Sequence, residues 1–247
     1  MPNTLHILCA GAAQGLVKAL QANFERHHEV VISARFGAVG AMREALLAGE
    51  PCDLMIVTAA MVEALCGSGK LIAATRADLG AVRTGVAVPA ADAAGQPALP
   101  EVASAAALKA ALLGAEGIYF PDPQRATAGI HFAAVMRQLG VFDALQPRFR
   151  TYPNGATAMR EMAALGPKPN IGCTQISEIL YTPGVRLAGA LPTEFELATQ
   201  YTAAVSARAA QAALAQQFVA ALAAPATLAL RRQGGFEIDG AADRPAP

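Results

Sequence analysis

The chain has 247 residues, 54% of them apolar, with 19 basic residues balanced by 19 acidic ones and only 15% charged in all. A chain of this length can bury a sizeable core in one large domain or two small ones, which excludes disorder of the bulk. The even charge excludes a surface built to neutralise a run of phosphates, so no nucleic-acid partner is expected. Trp is absent and aromatics are 5%, leaving ligand recognition to backbone amides, small side chains and a few polar groups.

Short apolar runs alternate with amphipathic segments from the start. Residues 5–9 read as a buried strand, 13–24 as a helix with Leu16, Leu20 and Phe24 on one face, and 29–34 as a second strand. A helix over 38–48 closed by Gly49, a strand over 53–57 and a helix over 59–66 follow. This alternation is the pattern of a mostly parallel sheet covered by helices. The Val-x-Val run at 83–89 leads into a turn-rich stretch, 90–100, read as a crossing between lobes. Next come a helix containing 108–113, a strand at 117–120, a helix over 127–139 ending at Gly140, a helix at 156–165, and strands at 170–174 and 185–190. Residues 198–205 have the small, β-tolerant composition of a strand, and Ala-rich helices are expected over 207–222 and 226–233. The expected organisation is α/β in two lobes: lobe I over 1–82 with 205–238, lobe II over 83–204, and a frayed polar tail at 239–247. Two lobes joined by two crossings imply a cleft, with its ligand loops after the strands, at 10–14, 37–40, 58–59, 121–129, 154–157 and 174–177.

Cys9, Cys52, Cys66 and Cys173 form no C-x-x-C pair and the four histidines do not fall at zinc spacing. Buried reduced thiols are expected, and neither a metal nor another cofactor. Residues 1–17 hold no Lys or Arg, their apolar part is interrupted by Gly11 and Gln14, and no stretch has the roughly 20 apolar residues that span a bilayer. The chain is read as cytoplasmic with no membrane partner, or as periplasmic if it is a trimmed mature form. Its oligomeric state is not legible.

Five stretches then converge: Leu5-His6-Ile7-Leu8-Cys9-Ala10-Gly11-Ala12, Phe36-Gly37-Ala38-Val39-Gly40-Ala41, Pro51-Cys52-Asp53-Leu54-Met55-Ile56, Asp122-Pro123 with Ala128-Gly129, and Ile171-Gly172. In these the chain resembles the type II periplasmic-binding-protein fold, in particular its molybdate-binding branch, over nearly its whole length. The resemblance implies a ligand held between lobes by hydroxyl side chains and by backbone N–H groups at helix N-termini, here around Ala12, Val39, Ala128 and Ala158. The family's hydroxyls are replaced: two serines fall at Ala12 and Val39 and a tyrosine at about Gln175. Each lost bond to a charged ligand costs about 1.5–3 kcal/mol, so molybdate itself is not the expected ligand.

A partly apolar organic acid or carbonyl compound fits better. Val39 offers a methyl surface, while Gln14, Asn154 and Gln175 can donate without a full charge, alongside Thr127 and Ala128. Arg125 reads either as a carboxylate clamp or as a solvated loop residue. His131, near the start of the helix that begins at Thr127, reads either as a general base or as a packed histidine. Cys173, at a strand end expected to face the cleft, is either a reactive or a buried thiol, and Glu178 is either a second acid or base or a solvent-facing cap.

The chain is also similar to aconitate isomerase, which moves a double bond by a 1,3 proton shift. That likeness implies an enzyme that clamps a small organic acid or carbonyl compound between its lobes and shifts a C=C bond; together with the reading of residues 1–17 it is expected to be cytoplasmic, and no cofactor is expected. A tricarboxylate would want more cations than the cleft loops supply. The alternatives are the substrate-binding protein of a molybdate or organic-anion transporter and a cytoplasmic ligand sensor.

Overall fold

The first apolar run forms β1 (Asn3–Ala10), with Leu5, Ile7, Leu8 and Cys9 all buried, as a strand covered on both faces must be. It opens a computed structural model that describes residues 3–91 and 98–238. The expected tail at 239–247, and residues 92–97 of the expected crossing, lie outside the described residues. From β1 the chain runs through α1 (Gln14–His28), β2 (Val30–Gly37), α2 (Val39–Leu47), β3 (Leu54–Thr58) and α3 (Ala59–Gly67). The helix stops follow local chemistry. Glu29 caps α1 at φ 50° and donates its N–H to Glu25, while Gly49 takes φ 84° just past α2.

A 13-residue strand, β4 (Ala77–Pro89), follows. Then come α4 (Ala105–Gly114), β5 (Gly117–Pro121), α5 (Thr127–Gln138), the short α6 (Phe142–Leu145), β6 (Phe149–Tyr152), α7 (Gly155–Ala164) and β7 (Asn170–Gln175). The chain ends through α8 (Ile176–Tyr181), β8 (Val185–Ala190), β9 (Ala198–Val205), α9 (Ala212–Ala223) and α10 (Leu228–Gln233).

Among the described residues the strands join in the order β2-β1-β3-β9-β4-β7-β5-β6, with β8 paired to β4. The outer strands of each lobe are parallel: β1 with β2 and β3, and β5 with β6 and β7. The strands that carry the chain between lobes run antiparallel to their neighbours. Residues 77–83 of β4 pair with β9, and 84–89 pair with β7 and β8, so one strand serves both lobes. β9, read from sequence as belonging to the second lobe through residue 204, pairs with β3 from Leu54↔Val205 to Thr58↔Tyr201 and buries Ala203, Ala204 and Val205 in the first core.

Two cores result. The first gathers Leu5, Ile7, Leu54, Ile56, Leu79 and Phe218, with Phe24 edge-on to Phe218 at 4.7 Å. The second gathers Leu108, Leu112, Phe120, Phe132 and Met136 on one side of its sheet and Met159, Met162 and Ile179 on the other. α9 begins later than the expected residue 207 because buried Asp53 captures its entry: Oδ1 accepts the Gln211 N–H at 2.8 Å and Oδ2 the His6 N–H at 2.8 Å. Among the described residues no single helix is long and apolar enough to cross a membrane.

Candidate functional site

Strand carboxyl ends from both lobes meet at one cavity. It is lined by Ala10, Gly11 and Ala12 after β1, by Gly37, Ala38 and Val39 after β2, by Pro121 after β5, and by Ala126, Thr127 and Ala128 at the start of α5. Asn154, Gly155, Gln175, Glu178 and Tyr201 complete it. Its volume is about 30 Å³, room for little more than one or two waters at roughly 10–15 Å³ each.

Helix N-termini supply most of the donors. α2 is entered from Ala38 and α5 from Ala126, whose carbonyls accept from Met42 and Ile130, so the N–H groups between have no partner inside their helix. α7 is capped by Asn154, whose Oδ1 accepts the Thr157 N–H at 2.9 Å.

Glu178 sits among these donors. It is 6% exposed, and its Oε2 accepts from Thr174 Oγ1 at 2.5 Å and its Oε1 from the Ala156 N–H at 3.3 Å. Burial raises its pKa above the usual carboxylate range, against the opposing pull of Thr174 and the Ala156 and Gln175 backbone. Space for this carboxyl is made by glycines: a Cβ on Gly11 would meet Oε1, and one on Gly155 would meet Oε2 and Thr174 Oγ1. Tyr201 is 2% exposed, and burial, then the nearby Glu178 charge, pushes its phenol up. Gln175 is 3% exposed, and neither its Oε1 nor its Nε2 has a hydrogen-bond partner.

The structure brings Ala12, Val39, Thr127, Ala128, Asn154, Gln175 and Glu178 together around this cavity, with Glu178 buried and not the solvent-facing cap that was its other reading. Other expected residues go elsewhere. Arg125 is exposed and its guanidinium pairs with Glu44 of α2, beside a neighbouring cleft lined by Asp122 and Tyr152. His131 points its Nε2 at the Phe195 carbonyl, 2.7 Å away, and does not line the cavity. Cys173 is fully buried in the second core, and burial raises its pKa; strand alternation turns Thr174, not Cys173, toward Glu178. The Ala158 N–H is spent on the Asn154 carbonyl, so the donor that α7 offers is Ala156. Gln14 donates its backbone N–H to Gly11, and its side chain does not line the cavity. Tyr201 was missed; its being the single tyrosine among the small residues of 198–205 was the one available signal, whereas Gly155 falls in the expected loop 154–157. Among the described residues no group of three or more His, Cys, Asp or Glu is placed to hold a metal ion.

A family model of the bacterial extracellular solute-binding proteins matches residues 5–237. The chain belongs to that family. As a solute-binding protein fold it superposes on the periplasmic molybdate-binding protein of Azotobacter vinelandii with a TM-score of 0.77 at 18% identity, over 96% of this chain and 100% of that one. The sulfate-binding protein SubI of Mycobacterium tuberculosis H37Rv gives 0.69 at 14% identity, over 95% and 86%. In sequence, an aconitate isomerase from Pseudomonas sp. is 25% identical over 211 residues, 82% of this chain and 75% of that protein. The two-lobed solute-binding architecture, with its sheets meeting at an interlobe cleft, is thus the fold of this chain.

A raised-pKa carboxyl facing helix N-terminal donors has a defined chemical use. The carboxyl can take a proton from carbon, and the N–H groups can hold the oxyanion that forms.

Proposed function

We propose that this solute-binding fold is an intramolecular isomerase that clamps a small unsaturated acid or carbonyl compound between its lobes and shifts a C=C bond. The observation that carries the reading is buried Glu178 in the interlobe cavity, and the likeness to aconitate isomerase supports it. In this reading the Glu178 carboxylate removes a proton from a carbon of a β,γ-unsaturated carbonyl compound. The α C–H pair becomes a double bond to the carbonyl carbon as the carbonyl π pair moves onto its oxygen, and the helix N-termini at Val39 and Ala128 hold the resulting dienolate. The oxygen pair then re-forms the C=O, the new bond shifts to the α,β position, and the old β,γ pair takes up a proton. Glu178 returns the proton to the far carbon, so no atom or electron is gained or lost. Closure of the two lobes on each other, with β9 moving as part of the first lobe, excludes water. The unpaired thiols suit a cytoplasmic enzyme.

Incubation of vinylacetate, itaconate and trans-aconitate with the protein in D2O tests this. A moved double bond carrying deuterium is expected in vinylacetate, with the two polycarboxylates turned over more slowly, and Glu178→Gln should cut vinylacetate turnover about 100-fold or more while ligand affinity holds. No isomerisation of any of the three overturns the reading.

The second reading is the substrate-binding protein of a molybdate or organic-anion transporter, favoured by the match to the molybdate-binding fold and by the ring of helix N-termini. A buried carboxylate repels a dianion, which weighs against it. Thermal stabilisation by molybdate or tungstate would restore it. A cytoplasmic ligand sensor remains the third reading, distinguished by ligand binding without turnover.

A further inference from the structure

The interlobe cavity is rich in donors yet poor in charge. Among the described residues that line it none is Lys, Arg or His, and its one carboxyl belongs to Glu178. Arg125, the nearest cation expected from sequence, is turned to Glu44 outside the cavity. A ligand with two or three carboxylates would therefore meet a carboxyl and no counter-charge.

Gln175 reports what the ligand must offer. Its amide is enclosed, lines the cavity, and leaves both a donor and an acceptor without a partner. Thr84, its direct register partner across β4 and β7, has a buried hydroxyl that is also unpartnered. Buried polar groups are nearly always paired, and an orphaned amide this deep is one that a ligand or water satisfies. A carboxylate presents acceptors only and can satisfy Nε2 but not Oε1. A protonated carboxylic acid or a primary carboxamide presents one acceptor and one donor side by side and satisfies both.

We propose that Gln175 is the specificity-determining residue of this cavity, and that it selects small unsaturated carbonyl compounds bound in uncharged form, as the carboxamide or the protonated acid, over di- and tricarboxylates. The C=O of the ligand accepts from Nε2 while its N–H or O–H donates to Oε1. The double bond in the ligand rests on the isomerase reading; the recognition of the uncharged end does not.

Titration calorimetry with crotonamide, itaconate and trans-aconitate at neutral pH tests the proposal. Crotonamide should bind at least about tenfold tighter than either polycarboxylate, and Gln175→Leu should weaken crotonamide by about tenfold or more, the range of one or two lost buried hydrogen bonds. Gln175→Glu, which at neutral pH offers acceptors only, should weaken it as well. Tighter binding of trans-aconitate than of crotonamide, no binding of any of the three, or a Gln175→Leu affinity within twofold of the parent overturns the proposal. The panel on the parent protein decides the matter even where a variant does not fold. Binding of crotonamide through Gln175 without turnover of any unsaturated acid removes the isomerase reading and leaves this one standing.

Discussion

Thr174 Oγ1 donates to Glu178 Oε2 across 2.5 Å, and both side chains are buried at the turn from β7 into α8. That bond favours the ionised carboxyl and holds back the rise that burial imposes. Thr174→Val keeps the shape and removes the donor, so the Glu178 pKa should climb further. At a given pH less of the carboxyl is then ionised. The acid limb of the pH profile of kcat/KM should move to higher pH, with a loss of activity at neutrality that recovers in alkali. An unmoved profile would show that Glu178 is not the base.

Glu178 also leaves a signature in stability. Its pKa is higher folded than unfolded, so between the ordinary carboxylate range and the raised folded value the unfolded chain holds fewer protons than the native one. Stability should therefore fall as pH rises through that window. Glu178→Gln, which cannot ionise, should flatten this part of the curve and be the more stable protein at neutral pH. Urea unfolding of both forms across pH 4–8 makes the comparison; parallel curves would mean that burial does not perturb this carboxyl.

The glycines around the carboxyl give a third test. A Cβ on Gly11 would run into Glu178 Oε1, and one on Gly155 into both Oε2 and Thr174 Oγ1. Either Gly→Ala change should destabilise by about 1–3 kcal/mol, the usual cost of overpacking, and should lower turnover because the carboxyl has to move. Gly11→Ala combined with Glu178→Ala should recover part of the lost stability, since the second change removes the atoms that the first one hits. Full additivity of the two changes in thermal unfolding would contradict the packing.

Much of this site was legible in the sequence because strand ends in α/β sheets point to ligands. The loops at Ala12, Val39, Ala128, Asn154 and Gln175 all reach the cavity. The misses have physical causes. Strand alternation is a matter of one residue, so reading Cys173 as facing the cleft placed the thiol where Thr174 lies. Tyr201 was hidden because its face depends on the pairing of β9 with β3 and β4, which no local pattern records. Ala158 was one turn too deep in α7 to have a free N–H. That Gln175 is unpartnered is a property of its surroundings, so it is visible only in three dimensions.

His131 illustrates the same point as an expected outcome. Its Nε2–H donates to the Phe195 carbonyl, tying α5 to the turn before β9. His131→Gln should leave kcat within a few-fold of the parent, because the ring reaches no part of the cavity lining, and should act on stability instead. A 100-fold loss of turnover with unchanged stability would return the imidazole to the chemistry.

Arg125 and Glu44 form an ion pair that bridges the mouth of the cleft. They join the turn before α5 to α2, one on each side of the cleft, with side chains 54% and 58% exposed. An ion pair this open to water contributes about 0–1 kcal/mol, and salt screens it within roughly 10 Å at 0.1 M. Glu44→Gln or Arg125→Met should therefore change ligand affinity by no more than about fivefold, and the two variants should match each other, because each breaks the same bond. The difference from the parent should shrink as salt is raised. A carboxylate clamp behaves otherwise: losing Arg125 alone would cost an anionic ligand far more than losing Glu44. Affinity of crotonamide and itaconate for the two variants, measured at low and high salt, separates a latch between lobes from a charge that touches the ligand.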